Sequence, residues 1–242
     1  MQAATENQHN TMQNYCKTIG ALAAVSALVA GIAQAEVEYT LHAGYSSEYL
    51  FRGESLGKGL VEAGLDASTE VNGLTVAAGI WHGSVQKDGS ENDEVDLYGS
   101  VTKDLGFADA SLGYIAYAYP ENSSGRTQEI SFGLSRDLGI AQATLTYFWG
   151  VEGAQGNDTN NGYTELGFAR SFELSPCLNL NGATNVGYYG EAGEFSSWTT
   201  RASLDYGFAE HAKLSPFVAY SVAIADAFED EFSAGGMVSV SF

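Results

Sequence analysis

The sequence predicts an all-β protein, a transmembrane antiparallel up-and-down β-barrel of about twelve strands. Three observations carry that prediction. Apolar and polar residues alternate with period two in segments that recur about every 17 residues, the pattern of strands with two different faces. The connections between these segments are alternately short and long. Residues 1–35 read as an export signal rather than as part of a fold.

Lys17 precedes an apolar run from Ile19 to Ile32, which leads into Ala33-Gln34-Ala35. That is a basic n-region, a short apolar h-region and an A-x-A cleavage site. The run is about 14 residues long, short of the roughly 20 that a helix needs to cross a bilayer. The polar stretch ahead of Met12 is long for an n-region, so translation is expected to start at Met12 and cleavage to follow Ala35. This leaves 36–242 as the barrel. Cys16 departs with the signal, and Cys177, left alone, cannot staple the chain internally.

Thirty acidic residues against ten basic ones give a formal charge of −20, which excludes nucleic acid as a partner, because phosphate binding needs basic patches. Apolar residues make up 45% of the chain, too many for a disordered polyanion. A mean hydropathy of −0.10 excludes a bundle of membrane helices, but a barrel needs only alternate residues to be apolar. The 29 glycines suit close-packed strands, and with 3 prolines the hydrogen-bond ladders stay intact.

The strands can be taken in order. In the first, Val37, Tyr39, Leu41, Ala43 and Tyr45 alternate with Glu38, Thr40, His42 and Gly44. In the second, Val61, Ala63, Leu65 and Ala67 alternate with Glu62, Gly64, Asp66 and Ser68. Similar segments fit near 74–85, 94–104 and 107–119. The sixth sets Ile130, Phe132 and Leu134 against Glu129, Ser131, Gly133 and Ser135. Segments near 140–151 and 163–173 follow. The ninth sets Leu178, Leu180, Val186 and Tyr188 against Asn179, Asn181 and Asn185. The tenth sets Trp198, Ala202, Leu204, Tyr206 and Phe208 against Thr199, Arg201, Ser203 and Asp205. A segment near 214–225 precedes the last, where Phe232, Val238, Val240 and Phe242 oppose Ser233, Ser239 and Ser241. Around Ile115, Tyr117 and Phe217 the polar face turns apolar, which points to a bulge or a packed interior there.

Short connections follow the even strands: Val71-Asn72-Gly73, Asp104 to Gly106, Arg136 to Gly139, Glu173 to Pro176 and Ala209 to Lys213. Asn-Gly is a strong hairpin signal because both positions tolerate positive φ. Longer polar connections follow the odd strands: Gly53 to Gly59, Gln86 to Asp93, Pro120 to Arg126, Glu152 to Asn161, Gly190 to Ser196 and Asp226 to Glu231. Membrane barrels have short periplasmic turns and longer outer loops. A secreted β-sandwich or solenoid also alternates, but gives no reason for a tight turn at every second connection. Tyr45, Tyr49, Trp81, Tyr117, Tyr119, Tyr147, Trp149, Tyr188, Tyr189, Trp198 and Phe208 fall near strand ends, where amphipathic rings form girdles at the lipid headgroups. Phe242, aligned with Val240 and Val238, looks like the signature read by the outer-membrane barrel assembly machinery. Lipid and that machinery are therefore the expected partners.

In this register the lumen carries Glu38, Glu62, Asp66, Asp96, Asp109, Glu129, Glu165 and Asp205, with Arg201 as the base among them. An acidic wall in a low-dielectric tube concentrates cations. The opposing reading is a plugged barrel whose acids are paired internally, with Arg201 on Glu129 or Glu165. About twelve strands lies between the roughly eight that fill with side chains and the sixteen that leave an open channel, so passage is restricted to small solutes. Arg170 falls on the lipid face near a short turn. His42 faces inward, and no G-x-S-x-G, H-E-x-x-H or paired C-x-x-C motif is present, so no catalytic residue, metal or cofactor is expected. The other readings are a lipid-acting barrel enzyme, with a Ser and His together on the lipid-facing wall, and a surface barrel without an open pore.

The segment Tyr45-Ser46-Ser47-Glu48-Tyr49-Leu50-Phe51-Arg52-Gly53 resembles the opening motif of the TorF family of porins, otherwise known as Gcw-type conserved hypothetical proteins. Tyr49, Phe51, Arg52 and Gly53 match it position by position, while Glu48 replaces the more usual Asp and Glu54 to Leu56 depart from it. Gly64-Leu65-Asp66 and the strand from Leu74 to Trp81 are similar too, and the resemblance fades after about residue 85. It implies a Gram-negative outer-membrane barrel with a transport role and no catalytic residues. Arg52 is expected to anchor the first strand at the barrel rim by a hydrogen-bonded ion pair, in preference to folding into the outer mouth and pairing with loop or lumen acids.

Overall fold

The computed structural model describes residues 36–87, 89–120, 126–152 and 162–242. The signal-peptide expectation, with Met12, Lys17 and Ala35, lies outside these residues, as do most of the connections expected at 120–126 and 152–161. Val37–Phe242 forms one compact unit.

Twelve antiparallel strands close into a barrel in chain order: β1 (Glu38–Phe51), β2 (Glu54–Val71), β3 (Leu74–Lys87), β4 (Ser90–Asp104), β5 (Asp109–Ala118), β6 (Arg126–Asp137), β7 (Gln142–Glu152), β8 (Tyr163–Ser175), β9 (Leu178–Tyr189), β10 (Glu194–Ala209), β11 (Ala212–Ala223) and β12 (Glu231–Ser241). Each strand pairs with its sequence neighbours, and β12 returns to β1 with Thr40 opposite Ser241 and Ser46 opposite Gly235. Backbone bonds of 2.9 Å in both directions between Tyr39 and Phe242, whose rings stack 5.9 Å apart, extend that seam. Closure matters because an open sheet edge would leave unpaired backbone groups, which hydrocarbon cannot satisfy.

The two faces separate as the alternation requires. Leu41, Leu65, Ile80, Leu112, Phe132, Leu145, Leu166, Leu204, Val218 and Val240 are large, apolar and exposed on the outside. A protein in water rarely shows so continuous an apolar skin. The buried polar residues Ser46, Asp96, Glu129, Ser221, Ser233 and Ser239 lie on the opposite face. The core is therefore the polar and aromatic filling of the cylinder.

At one end the turns are tight. Asn72 and Gly73 take φ of 51° and 73°, the left-handed pair of a two-residue hairpin. At the other end two expected loops are absent. Of the first, residues 54–59 belong to β2, which starts at Glu54, and 86–93 is mostly strand, with β3 running to Lys87 and β4 starting at Ser90. Ladder pairing needs only backbone groups, so a polar, glycine-rich stretch without alternation can still be strand. Register shifts near Glu48/Leu50 and Lys58/Val61 mark where the two-faced pattern breaks.

Candidate functional site

The inner wall positions the acids singled out above in two groups. Glu62, Asp66, Asp96, Glu129, Glu165, Arg201 and Asp205 sit at inward positions along the cylinder. Glu38 and Asp109 lie near the tight-turn rim, opposite Ser68 and Ser135 respectively, apart from the others.

Neighbouring strands supply partners for most of the first group. Trp81 Nε1 donates to Glu62 at 2.8 Å. Tyr98 donates to Asp66 Oδ1 at 2.5 Å, and His42 Nε2 lies 3.3 Å from Asp66 Oδ2. Tyr163 donates to Glu165 at 3.2 Å. Lys213 reaches Asp205 at 3.2 Å. Arg201 bonds neither Glu129 nor Glu165 as the plugged reading supposed. Its guanidinium lies 3.6 Å from the centroid of Phe217, within electrostatic reach of Glu62 and Asp205. Arg and aromatic faces attract one another through the ring quadrupole, so Arg201 is held flat against the wall.

Arg52 takes the partner that Arg201 lacks. At the tip of the β1–β2 hairpin, Arg52 and Gly53 have φ of 53° and 87°, a two-residue turn that folds into the barrel. Arg52 Nη1 and Nη2 donate to Glu129 Oε1 and Oε2 at 3.0 and 2.7 Å, a bidentate pair with 6% and 5% of the two side chains exposed. Its Cζ lies 4.8, 4.7 and 4.4 Å from the ring centroids of Phe51, Phe148 and Tyr163. Tyr117 adds a bond to Glu129 Oε2 at 3.0 Å. On the far side, Ser197 Oγ donates to the Arg52 carbonyl at 3.4 Å and Tyr189 to Glu54 at 3.2 Å. The tip that leaves β1 thus touches β5 through β10, crossing the lumen. This corrects the expected rim anchor: Arg52 folds into the mouth and pairs with a lumen acid, so the pair joins opposite walls instead of fastening a strand to its own rim.

This inward fold corrects the aromatic girdle. Tyr147, Trp149, Trp198 and Phe208 are outside and exposed. Tyr49, Trp81, Tyr117 and Tyr189 are inside, where Tyr49 and Trp81 lie 5.6 Å apart and Tyr189 stacks on Phe228 at 5.8 Å. Tyr119 also turns inward, beside Glu94. The apolar interruption at Ile115, Tyr117 and Phe217 is the packed interior that the sequence allowed for. Glu94, Tyr98 and Tyr163 are not among the expected lumen residues, although each stands at a period-two position within its strand.

Cavities open inside the cylinder. One, about 350 Å³, lies under the hairpin and is lined by Glu48, Tyr49, Glu62, Trp81, Asp96 and Tyr117 among others. The second, about 770 Å³, lies toward the tight-turn end and includes Asn181, Ser203, Asp205 and Ser215. Arg201 lines both.

A model of a bacterial protein family of unknown function, Gcw_chp, matches residues 30–224. No curated protein matches the sequence. Among solved structures, the COG4313 outer membrane channel from Pseudomonas putida F1 is similar with a TM-score of 0.56 at 9% identity, over 86% of this chain and 95% of that one. The KdgM porin gives 0.51 at 10% identity, over 85% and 99%. The NanC porin gives 0.51 at 12% identity, over 84% and 98%. At such identities the likeness is one of fold.

Proposed function

This chain belongs to the Gcw_chp family of bacterial proteins of unknown function, and from its barrel geometry we propose that it is an outer-membrane diffusion channel for small solutes that favours cations. The observation that carries the reading is a closed cylinder with an apolar skin and an interior in which acids outnumber bases. With Arg52 committed to Glu129 and Lys213 to Asp205, the acids Glu62, Asp66, Glu94, Asp96 and Glu165 outnumber Arg201 on the inner wall. Acid-lined walls inside a low-dielectric tube raise the local concentration of cations. The tight-turn end faces the periplasm and the folded hairpin faces outward, as in other barrels of this type. The porins and the channel of like fold support the same reading, as does the resemblance of the 45–53 segment to TorF porins.

In this reading the chain performs no catalysis. The β1–β2 hairpin narrows the outer mouth, and solute size is limited there. Conductance of the refolded protein in planar bilayers, with the reversal potential under a potassium chloride gradient, tests the proposal. Discrete steps with cation preference are expected. A silent bilayer, or preference for chloride, overturns it.

A further inference from the structure

The cavity under the hairpin has a lining that the diffusion of simple ions does not require. Trp81 of β3, Asp96 of β4 and Tyr117 of β5 are register partners in a row across the inner wall, so one carboxylate stands between two rings. Directly paired residues of this kind have Cβ atoms about 5 Å apart. Tyr49 packs on Trp81 from the hairpin side, 5.6 Å between centroids. Asp96 is only 7% exposed. Its Oδ1 atom, buried, has no hydrogen-bond partner, and neither has Oε2 of Glu48 on the same cavity, whose Oε1 lies 3.9 Å from Lys58 Nζ. A buried acceptor left unpaired costs about 1–3 kcal/mol and is the exception in folded proteins.

We propose that this cavity is a binding site for a small organic ammonium ion. The orphaned Oδ1 of Asp96 accepts an N–H from the ion, Glu62 supplies further negative charge, and the faces of Trp81, Tyr49 and Tyr117 enclose the alkyl part and its polarised hydrogens. A bare metal ion suits the site less well, because among the described residues no three His, Cys, Asp or Glu side chains converge as ligands. Anions are repelled by the acids, and a neutral alcohol gains no charge-assisted bond. The cavity, about 350 Å³, lies at the lower end of the roughly 300–1,000 Å³ range of small-molecule pockets. The site deepens the channel reading, since it names the class of solute, but it relies on that reading only for the ligand's route of entry.

Calorimetric titration of the refolded full chain in detergent with butylammonium, butanol and magnesium tests the site without any need for conductance. Saturable binding of butylammonium is expected, with butanol at least about tenfold weaker and magnesium unable to compete. D96N is expected to weaken binding by about tenfold or more. W81L removes a ring and leaves every carboxylate in place, so it carries the test should D96N fail to refold; it is expected to weaken binding several-fold. Absence of binding to the native chain, equal binding of butanol, displacement by magnesium, or unchanged affinity in either variant overturns the proposal. Binding by a protein that is silent in bilayers would sink the channel and leave the site, and conduction without binding would do the reverse.

Discussion

The guanidinium of Arg52 and the carboxylate of Glu129 meet inside the barrel at 2.7 and 3.0 Å, one carried by the β1–β2 hairpin and the other by β6 on the opposite wall. Removing one partner of such a buried pair costs about 3–5 kcal/mol, because the other charge is stranded. Here the hairpin has an alternative, which is to leave the lumen. R52A and E129A are therefore each expected to raise the open conductance or the frequency of opening in single-channel records, and to lower the temperature at which the barrel loses its compact gel mobility. The double variant R52A/E129A strands no charge and is expected to be more stable than E129A. Single variants with native conductance would show that the hairpin does not restrict the mouth.

Gly53 gives a second handle on the same hairpin. Its φ of +87° is one that side chains adopt at a cost of roughly 1–2 kcal/mol. A Cβ added there would also lie 1.7 Å from Ser197 Oγ and 2.6 Å from Ser197 Cβ. G53A is thus expected to unseat the tip and to share the open phenotype of R52A. Adding S197G removes both of those clashing atoms and should restore part of the closure, which bilayer recording can check. A G53A channel that behaves as the native one would mean that the tip does not rest on β10.

Much of this arrangement was legible in the sequence, and the exceptions have a common physical source. Strands such as β6 and β10 bury one face against polar filling and turn the other outward, so side-chain alternation reports them directly. The segment Tyr49–Gly53 does not separate two environments, because residues of both parities, Tyr49 and Phe51 with Leu50 and Arg52, turn into the cylinder. Tyr49 therefore reads as a girdle tyrosine and Gly53 as the start of a polar loop. Trp81 and Tyr117 were misplaced for a related reason, since an aromatic near a strand end can serve a headgroup belt or a packed lumen. Only the parity of its strand tells the two apart, and for Tyr117 that parity was visible. The Arg52–Glu129 pair joins positions 77 residues apart, and nothing local in either neighbourhood announces it.

The charge argument predicts opposite signs at two wall positions. Asp66 accepts from Tyr98 and lies beside His42, with 42% of its side chain exposed to the interior. D66N keeps the shape and removes the charge, so the cation-to-anion permeability ratio is expected to fall by a factor on the order of two. Arg201 lines both cavities, and R201Q should move the same ratio upward. Reversal potentials in a potassium chloride gradient measure both. A shift in the same direction for the two variants would show that these side chains do not sense the permeating ion.

The outer wall makes a prediction independent of any pore. Phe132 lies mid-strand with Leu112 and Tyr147 as its register partners, all three apolar and exposed on the outside. An arginine at the middle of a lipid-facing wall costs about 2–4 kcal/mol, against roughly 0–1 near the interface. F132R is expected to lower the urea midpoint for folding into lipid vesicles by an amount matching the larger figure. Arg170 already occupies the outer face, but near the tight-turn rim, where its guanidinium bonds the carbonyls of Gly139 and Ile140 and lies 5.0 Å from the ring centroid of Phe172. R170A is therefore expected to change stability by no more than about 1 kcal/mol in either direction. Native-like folding of F132R would mean that this face does not meet hydrocarbon, and without that contact an apolar skin on a closed cylinder has no physical explanation.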